Sequence, residues 1–302
     1  MIAMIQTSEL TKKFGDFMAL DQFCTEIPDG SIYGLVGSNG SGKSTLLRLI
    51  SGIYRPDSGE VRVNGEIPFE NPKIKDSIFH VSDELYFLPQ STMDNMAGFY
   101  AGVYSGFDKH IYKELCEKFP IDPQKRLANF SKGMKRQASL ILALSAQPRY
   151  LLLDEAFDGL DPVMRGAIRK ILADRVSSWN VTAVIASHNL RELEDLCDHM
   201  GLLHQGKVLF EREIDEVKLG FCKVQAGFQN GPDEEAFSRL NIMQMDRSGS
   251  VVNLIVRGNS GEVLEYIRSL GPMFVETVPL TLEEVFIHEM EAVGYDYNRI
   301  IF

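Results

Sequence analysis

The chain is short of cysteine, has one tryptophan, and contains no long apolar run. Its four cysteines, Cys24, Cys116, Cys197 and Cys222, stand far apart and form no CxxC pair. That argues against a disulfide-built scaffold or a thiol redox motif and predicts reduced thiols in a cytosolic protein. No window approaches the ~18 uninterrupted apolar residues of a membrane span. Any membrane process would therefore take its membrane from another chain. The opening MIAMIQTSELTKKFG lacks a charged leader followed by an apolar core, so no signal peptide is expected. Basic charge is in deficit, with 31 Lys and Arg against 42 Asp and Glu and a net charge of −11. Phosphate backbones need a basic footprint, so no nucleic-acid partner is expected. What is present is an ordinary soluble composition, 44% apolar and 24% charged over 302 residues. That length suits roughly two domains.

Apolar runs alternate with helical patterns. SIYGLV (31–36) leads into a glycine-rich turn and then LLRLISGIY at helical spacing. YLLLDEAF (150–157) is apolar before its acids, as suits a strand buried on both faces of a parallel sheet. VTAVIASH (181–188) is a third run, and helical patterns cover 133–146 and 162–177. The alternation predicts an α/β fold with a mostly parallel sheet. Residues 92–119 read as an aromatic-rich helical insertion. The expected boundaries are 1–218 for this domain, with a helical subdomain at about 92–146, and 219–302 for a small α+β domain. Within the tail the predicted order is strand, helix, strand, strand, helix, strand, helix.

GSNGSGKS (37–44) matches G-x-x-x-x-G-K-[ST] between a predicted strand and helix, the context that motif demands. Its glycines let the backbone wrap a phosphate, and the helix start adds positive potential. Gly37, Ser38, Asn39, Gly40, Ser41, Gly42, Lys43, Ser44 and Thr45 are thus candidate nucleotide contacts, and the family resemblance below makes that nucleotide ATP. Lys43 would reach the β and γ phosphates, and Ser44 would hold Mg²⁺. LLLDE places Asp154 and Glu155 at a strand's C-terminal end, where ligands bind in open α/β sheets. One carboxylate can hold Mg²⁺ through its water shell, and the other can polarise an attacking water.

NFSKGMKRQ (129–137) follows the phosphate loop and precedes LLLDE. That order resembles the ABC ATPase family, whose signature reads close to LSGGQ. Ser131 and Gly133 match it, while Lys132 and Met134 depart. The SKGMK form is similar to the subset serving bacitracin- or lantibiotic-type bacterial exporters. FDGLDP resembles the family's D-loop, with Asp161 at its key position, and ASH resembles its switch segment, ending on His188. KKFG puts Phe14 where the family keeps an aromatic that stacks on adenine. The resemblance covers about residues 2–215. It implies a P-loop nucleotide-binding domain that pairs head to tail with a copy of itself or another ABC ATPase. It also implies separate transmembrane permease subunits docked near residues 83–110 and a peripheral location at the inner face of the cell membrane. Ser131 would then contact the partner's γ-phosphate, Glu155 would polarise water, and His188 would hydrogen-bond the γ-phosphate. The alternative is a soluble ABC ATPase acting in assembly or regulation. A plain P-loop kinase or GTPase fits less well, because SKGMK and the acid pair are present and no NKxD is.

The family carries a glutamine directly after the strand that follows the phosphate loop. Here IFHVSDELYFLPQ offers Asp83, Glu84 or Gln90. The strand-like run stops at Ser82, and counting back from Thr92 and Asn95 puts the glutamine position on Asp83. A carboxylate replaces an amide there. It could ligate Mg²⁺, or stand in a solvated acidic loop. His80, His110, His199, His204 and His288 have no comparable context, and Cys197, His199 and His204 lack zinc spacing.

Overall fold

A computed structural model describes residues 3–229 and 234–292. The chain folds as two compact units, Met1–Glu211 and Arg212–Phe302. The side chain of His288 lies outside the described residues.

The first unit opens with two long strands, β1 (Ala3–Phe14) and β2 (Phe17–Pro28). Then come β3 (Ile32–Val36), α1 (Lys43–Ile50), β4 (Ser58–Val63), the short α2 (Pro72–Lys75) and β5 (Ile78–Val81). The helical insertion is α3 (Met93–Val103), α4 (Lys109–Lys118) and α5 (Lys132–Ser145). The chain returns through β6 (Tyr150–Asp154), α6 (Pro162–Trp179), β7 (Thr182–Ser187), α7 (Leu190–Glu194), β8 (His199–His204) and β9 (Lys207–Glu213). The sheet order is β5-β6-β7-β3-β8-β9, with parallel pairing from β5 to β8. Every residue of β3, β6 and β7 is buried, as a parallel sheet covered on both faces requires.

β1 and β2 have no counterpart in the sequence pattern, whereas PDSGEVRVNG (56–65), which resembles the family's strand-turn segment after the first helix, supplies β4 of the antiparallel sheet β2-β1-β4. Its register shifts repeatedly along β1, and Glu9 and Gln22 take positive φ of 47° and 49°. Bulges break the period of two, so alternation does not announce these strands. One core joins both sheets: Ile5, Leu10, Leu20 and Phe23 pack with Leu35, Leu152, Val184 and the α1 residues Leu46, Leu47, Leu49 and Ile50. That core fixes α1, and with it the loop that precedes α1.

The second unit contains α8 (Ile214–Leu219), β10 (Phe221–Gly227), β11 (Ile242–Ser248), β12 (Val251–Arg257), α9 (Ser260–Ser269), β13 (Phe274–Val278) and α10 (Leu282–Ala292). Its sheet is antiparallel, in the order β11-β12-β10-β13. Val224, Ala226, Val252, Leu254 and Val256 form a core with Phe237 and with Val263 and Ile267 of α9. Where the sequence predicts a helix over PDEEAFSRL, a 3-10 turn spans Glu234–Phe237.

Gly201 of β8 stands opposite Leu35 in the parallel register. A Cβ there would overlap the Tyr33 hydroxyl and come within 3.0 Å of Cζ. Gly201→Ala should cost about 1–3 kcal/mol by overpacking. Tyr33→Phe should recover part of that loss in the double variant, read as the shift in urea midpoint across the four proteins of the cycle.

Candidate active site

The C-terminal ends of the parallel strands share one edge of the sheet. Val36 is level with Ser187, Asp154 with Ala186, and Val81 with Leu153. The chain therefore leaves β3, β5, β6 and β7 side by side. Phosphate loop, Asp83, Asp154, Glu155 and His188 all follow from that alignment.

The loop over residues 37–42 turns into α1 at Gly42, which has φ of 114° and would meet the Ala19 carbonyl at 2.5 Å if it carried a Cβ. No L side chain suits that position. Lys43 is buried and donates to the carbonyls of Gly37, at 2.6 Å, and Ser38, at 3.2 Å. Burial lowers its pKa, and Glu155 and Asp154 oppose that shift. Ser41 is buried, and its Oγ has no hydrogen-bond partner among the described residues. Asn39 and Gly40 are exposed at the tip, while Ser38, Ser44 and Thr45 are half-buried.

Asp154 is fully buried, and neither carboxylate oxygen accepts a hydrogen bond of normal geometry. Ser44 still lies near enough to pull its pKa down, but burial outweighs this and raises it, and Asp83 adds to the rise. An unpaired buried carboxylate beside a serine hydroxyl fits a divalent cation, which would supply the missing positive charge.

Glu155 has φ of 46°, a strained value for a non-glycine residue, and its N–H is tied to the Ala186 carbonyl at 2.9 Å. Its Oε2 lies 3.0 Å from His188 Nδ1 and its Oε1 3.8 Å from Lys43 Nζ. Burial raises the Glu155 pKa, while His188 and Lys43 pull it back. Asp158 joins Glu155 and His188 in a group whose ligand atoms all lie within 4.8 Å of one another. Asp158 falls inside FDGLDP, where spacing alone gives it no role.

His188 sits on a pinned turn. Ser187 Oγ accepts from the Asn189 N–H at 3.0 Å and donates to Glu192 Oε2 at 3.2 Å. Glu192 is buried, pairs with Arg165 of α6 at 3.0 Å, and offers its carbonyl to Arg169 at 2.9 Å. Nothing in the spacing of SHNLRELED marks Glu192 for this role.

The remaining predicted residues stand elsewhere in the unit. Ser131 caps α5 by accepting from the Met134 N–H at 3.2 Å, and Asp161 caps α6 by accepting from the Met164 N–H at 2.9 Å. Gly133 is pressed against the D-loop, where a Cβ would meet the Gly159 carbonyl at 2.5 Å. Phe14, 44% exposed, meets the Tyr54 ring edge at 5.4 Å between centroids. Asp83 Oδ1 accepts from Arg136 Nη2 at 2.8 Å, and Gln90 lies exposed in the following loop. Cys197 is buried with its thiol pKa pushed up by burial, and His199 Nδ1 pairs with Asp198 at 2.8 Å.

Comparison with known proteins agrees with this geometry. A family model described as ABC transporter matches residues 20–158. The ABC transporter ATP-binding protein YtrB of Bacillus subtilis (strain 168) is 31% identical over 284 residues, covering 94% of this chain and 97% of YtrB. The chain belongs to the ABC transporter family of ATP-binding proteins. It is therefore an ATP-binding cassette with ATPase chemistry. The bacitracin transport ATP-binding protein BcrA of Bacillus licheniformis is 33% identical over 221 residues, 72% of each chain. A solved ATP-binding subunit of an ABC transporter superimposes with a TM-score of 0.66 at 23% identity, over 71% of this chain and 92% of that one.

Two outcomes follow. Asp154 has a raised pKa, so its ionised form opposes folding, and stability returns as pH falls through that pKa. Asp154→Asn should stabilise the ligand-free protein by about 0.5–2 kcal/mol. The gain, seen in thermal melts, should be larger at pH 8 than at pH 5. Because His188 holds the Glu155 pKa down, His188→Ala should move the acid limb of the ATPase pH profile to higher pH.

Proposed function

We propose that this chain is the ATP-hydrolysing subunit of an ABC exporter, sharing composite ATP sites with a second ATPase subunit and coupled to separate membrane subunits. The observation that carries the reading is the convergence of Lys43, Asp154, Glu155 and His188 on one edge of the sheet beside the phosphate loop. Lys43 would neutralise charge on the β and γ phosphates, and the loop N–H groups would hold them in line. Glu155, ionised, would take a proton from the attacking water at a carboxylate oxygen. His188 turns Nδ1 to Glu155, which leaves Nε2 for the γ-phosphate. Donating to both at once requires the doubly protonated ring. Mg²⁺ would be held by Ser44 and Asp154, with Asp83 a further candidate ligand, and would screen the phosphate charge. Phe14 would offer its exposed face to adenine.

No helix among the described residues is long and apolar enough to cross a membrane. On this reading other chains carry the membrane-spanning part, and the ATPase sits peripherally at the inner membrane face. Tyr86, Leu88, Phe99 and Val103 are exposed large apolar side chains in the stretch where the permease is expected to dock. Export as the direction leans on the SKGMK signature and on likeness to a protein named for bacitracin transport.

Glu155→Gln removes the base but keeps the shape of the site, so ATP should be trapped between two subunits. Native mass measured with ATP and Mg²⁺ should shift to twice the monomer value, and it should stay monomeric without nucleotide. A monomer that still binds ATP would point to a different ATPase as the partner. Loss of ATP binding itself would sink the reading.

A further inference from the structure

The hydrolytic site makes no use of a nearly fully buried guanidinium. Arg136 lies on α5, is 1% exposed, and spends its charge on one short stretch of chain. Nη1 donates to the carbonyls of Ser82, at 3.0 Å, and Asp83, at 3.1 Å, and Nη2 donates to Asp83 Oδ1 at 2.8 Å. Ser82 and Asp83 are the residues that leave β5 at the nucleotide edge of the sheet. Asp83 is close enough to Asp154 to raise its pKa. Ser131 is the N-cap of the same helix, little more than one turn before Arg136. Arg136 follows it by about 7.5 Å along the axis at ~1.5 Å per residue.

A planar fork bound to three oxygens of two consecutive residues permits little sliding. Breaking it would leave an uncompensated buried charge, so the pair resists separation. We propose that Arg136 is a positioning residue that locks the Ser82–Asp83 turn to α5, so that the metal-facing edge of a subunit's own site and the signature it offers outward move as one body. The carboxylate at position 83 is then explained by the guanidinium: an amide there would leave the buried cation without a charged partner. The consequence for turnover rests on the composite-site reading, while the clamp itself does not.

The test is hydrogen exchange on the full chain, read in peptides covering 82–86 and 131–136, for the wild type, Asp83→Asn and Arg136→Lys. Without nucleotide, Asp83→Asn should speed exchange at least threefold in both peptides, and Arg136→Lys, which loses the planar fork, should speed it at least as much. Exchange that rises over 82–86 alone would overturn the clamp. Asp83→Asn keeps the two carbonyl bonds and has a half-exposed side chain, so it tests the idea even if substitutions at Arg136 fail to fold. A second readout separates positioning from metal binding. Both variants should lower kcat for ATP at least fivefold, with KM and the half-saturating Mg²⁺ concentration within twofold of wild type. A rise in the Mg²⁺ requirement in Asp83→Asn alone would make Asp83 a ligand and overturn the proposal. If MgATP fails to protect residues 37–45 in the wild type, the ATP-site reading falls, and the nucleotide-free exchange still decides the clamp.

Discussion

Charge held with too little water is the constraint on which the site depends. Lys43 and Asp154 are buried and Glu155 is partly so, and in each the pKa moves toward the neutral form, with burial the largest cause. The lysine is kept charged by two carbonyls and two carboxylates, and Asp154 has no proper hydrogen bond at all. Such a cluster is poorly satisfied when empty. On the proposed reading, a polyphosphate with its cation would meet Lys43 with negative charge and Asp154 with positive charge. Affinity for the nucleotide and instability without it have the same origin. The parallel sheet makes this possible, because rows of fully buried strands deliver four chain exits to one edge.

The parts of this site that were legible in the sequence are those written in backbone chemistry. A glycine-rich turn between a strand and a helix can be read because side chains would block it, as Gly42 against Ala19 shows. LLLDE can be read because four buried apolar residues end abruptly in two acids. What escaped is tertiary. β1 and β2 hide behind their bulges, and the core they share with α1 appears only once both sheets are in place. Arg136 and Glu192 are charged residues on helices, and spacing alone assigns them to solvent. Only the fold shows them buried, each fastening a functional loop to a helix.

These two fasteners share a logic. Glu192 ties the His188 turn to α6, which Asp161 caps, and Arg136 ties the Asp83 turn to α5, which Ser131 caps. In each case a loop at the C-terminal edge of the parallel sheet is bound to a helix whose N-terminus is exposed. Burying a charge is costly, and an apolar contact could hold a helix in place. Directional bonds to specific oxygens do something that an apolar contact does not: they fix the register of a loop against a helix within tenths of an ångström.

The two N-termini also lie against each other, because Gly133 and the Gly159 carbonyl approach too closely for any side chain at 133. The α5 terminus has no acid in its first turn, and its flanking residues include Lys132 and Lys135. Ser131 caps one N–H, Lys132 is exposed and Lys135 half-buried, and neither lysine forms an ion pair among the described residues. On the composite-site reading, such a helix end would take an anion carried by a second subunit. A nucleotide seated on the phosphate loop of a second subunit has that chemistry. On that reading, one γ-phosphate would lie between the phosphate loop of one subunit and the α5 terminus of the other.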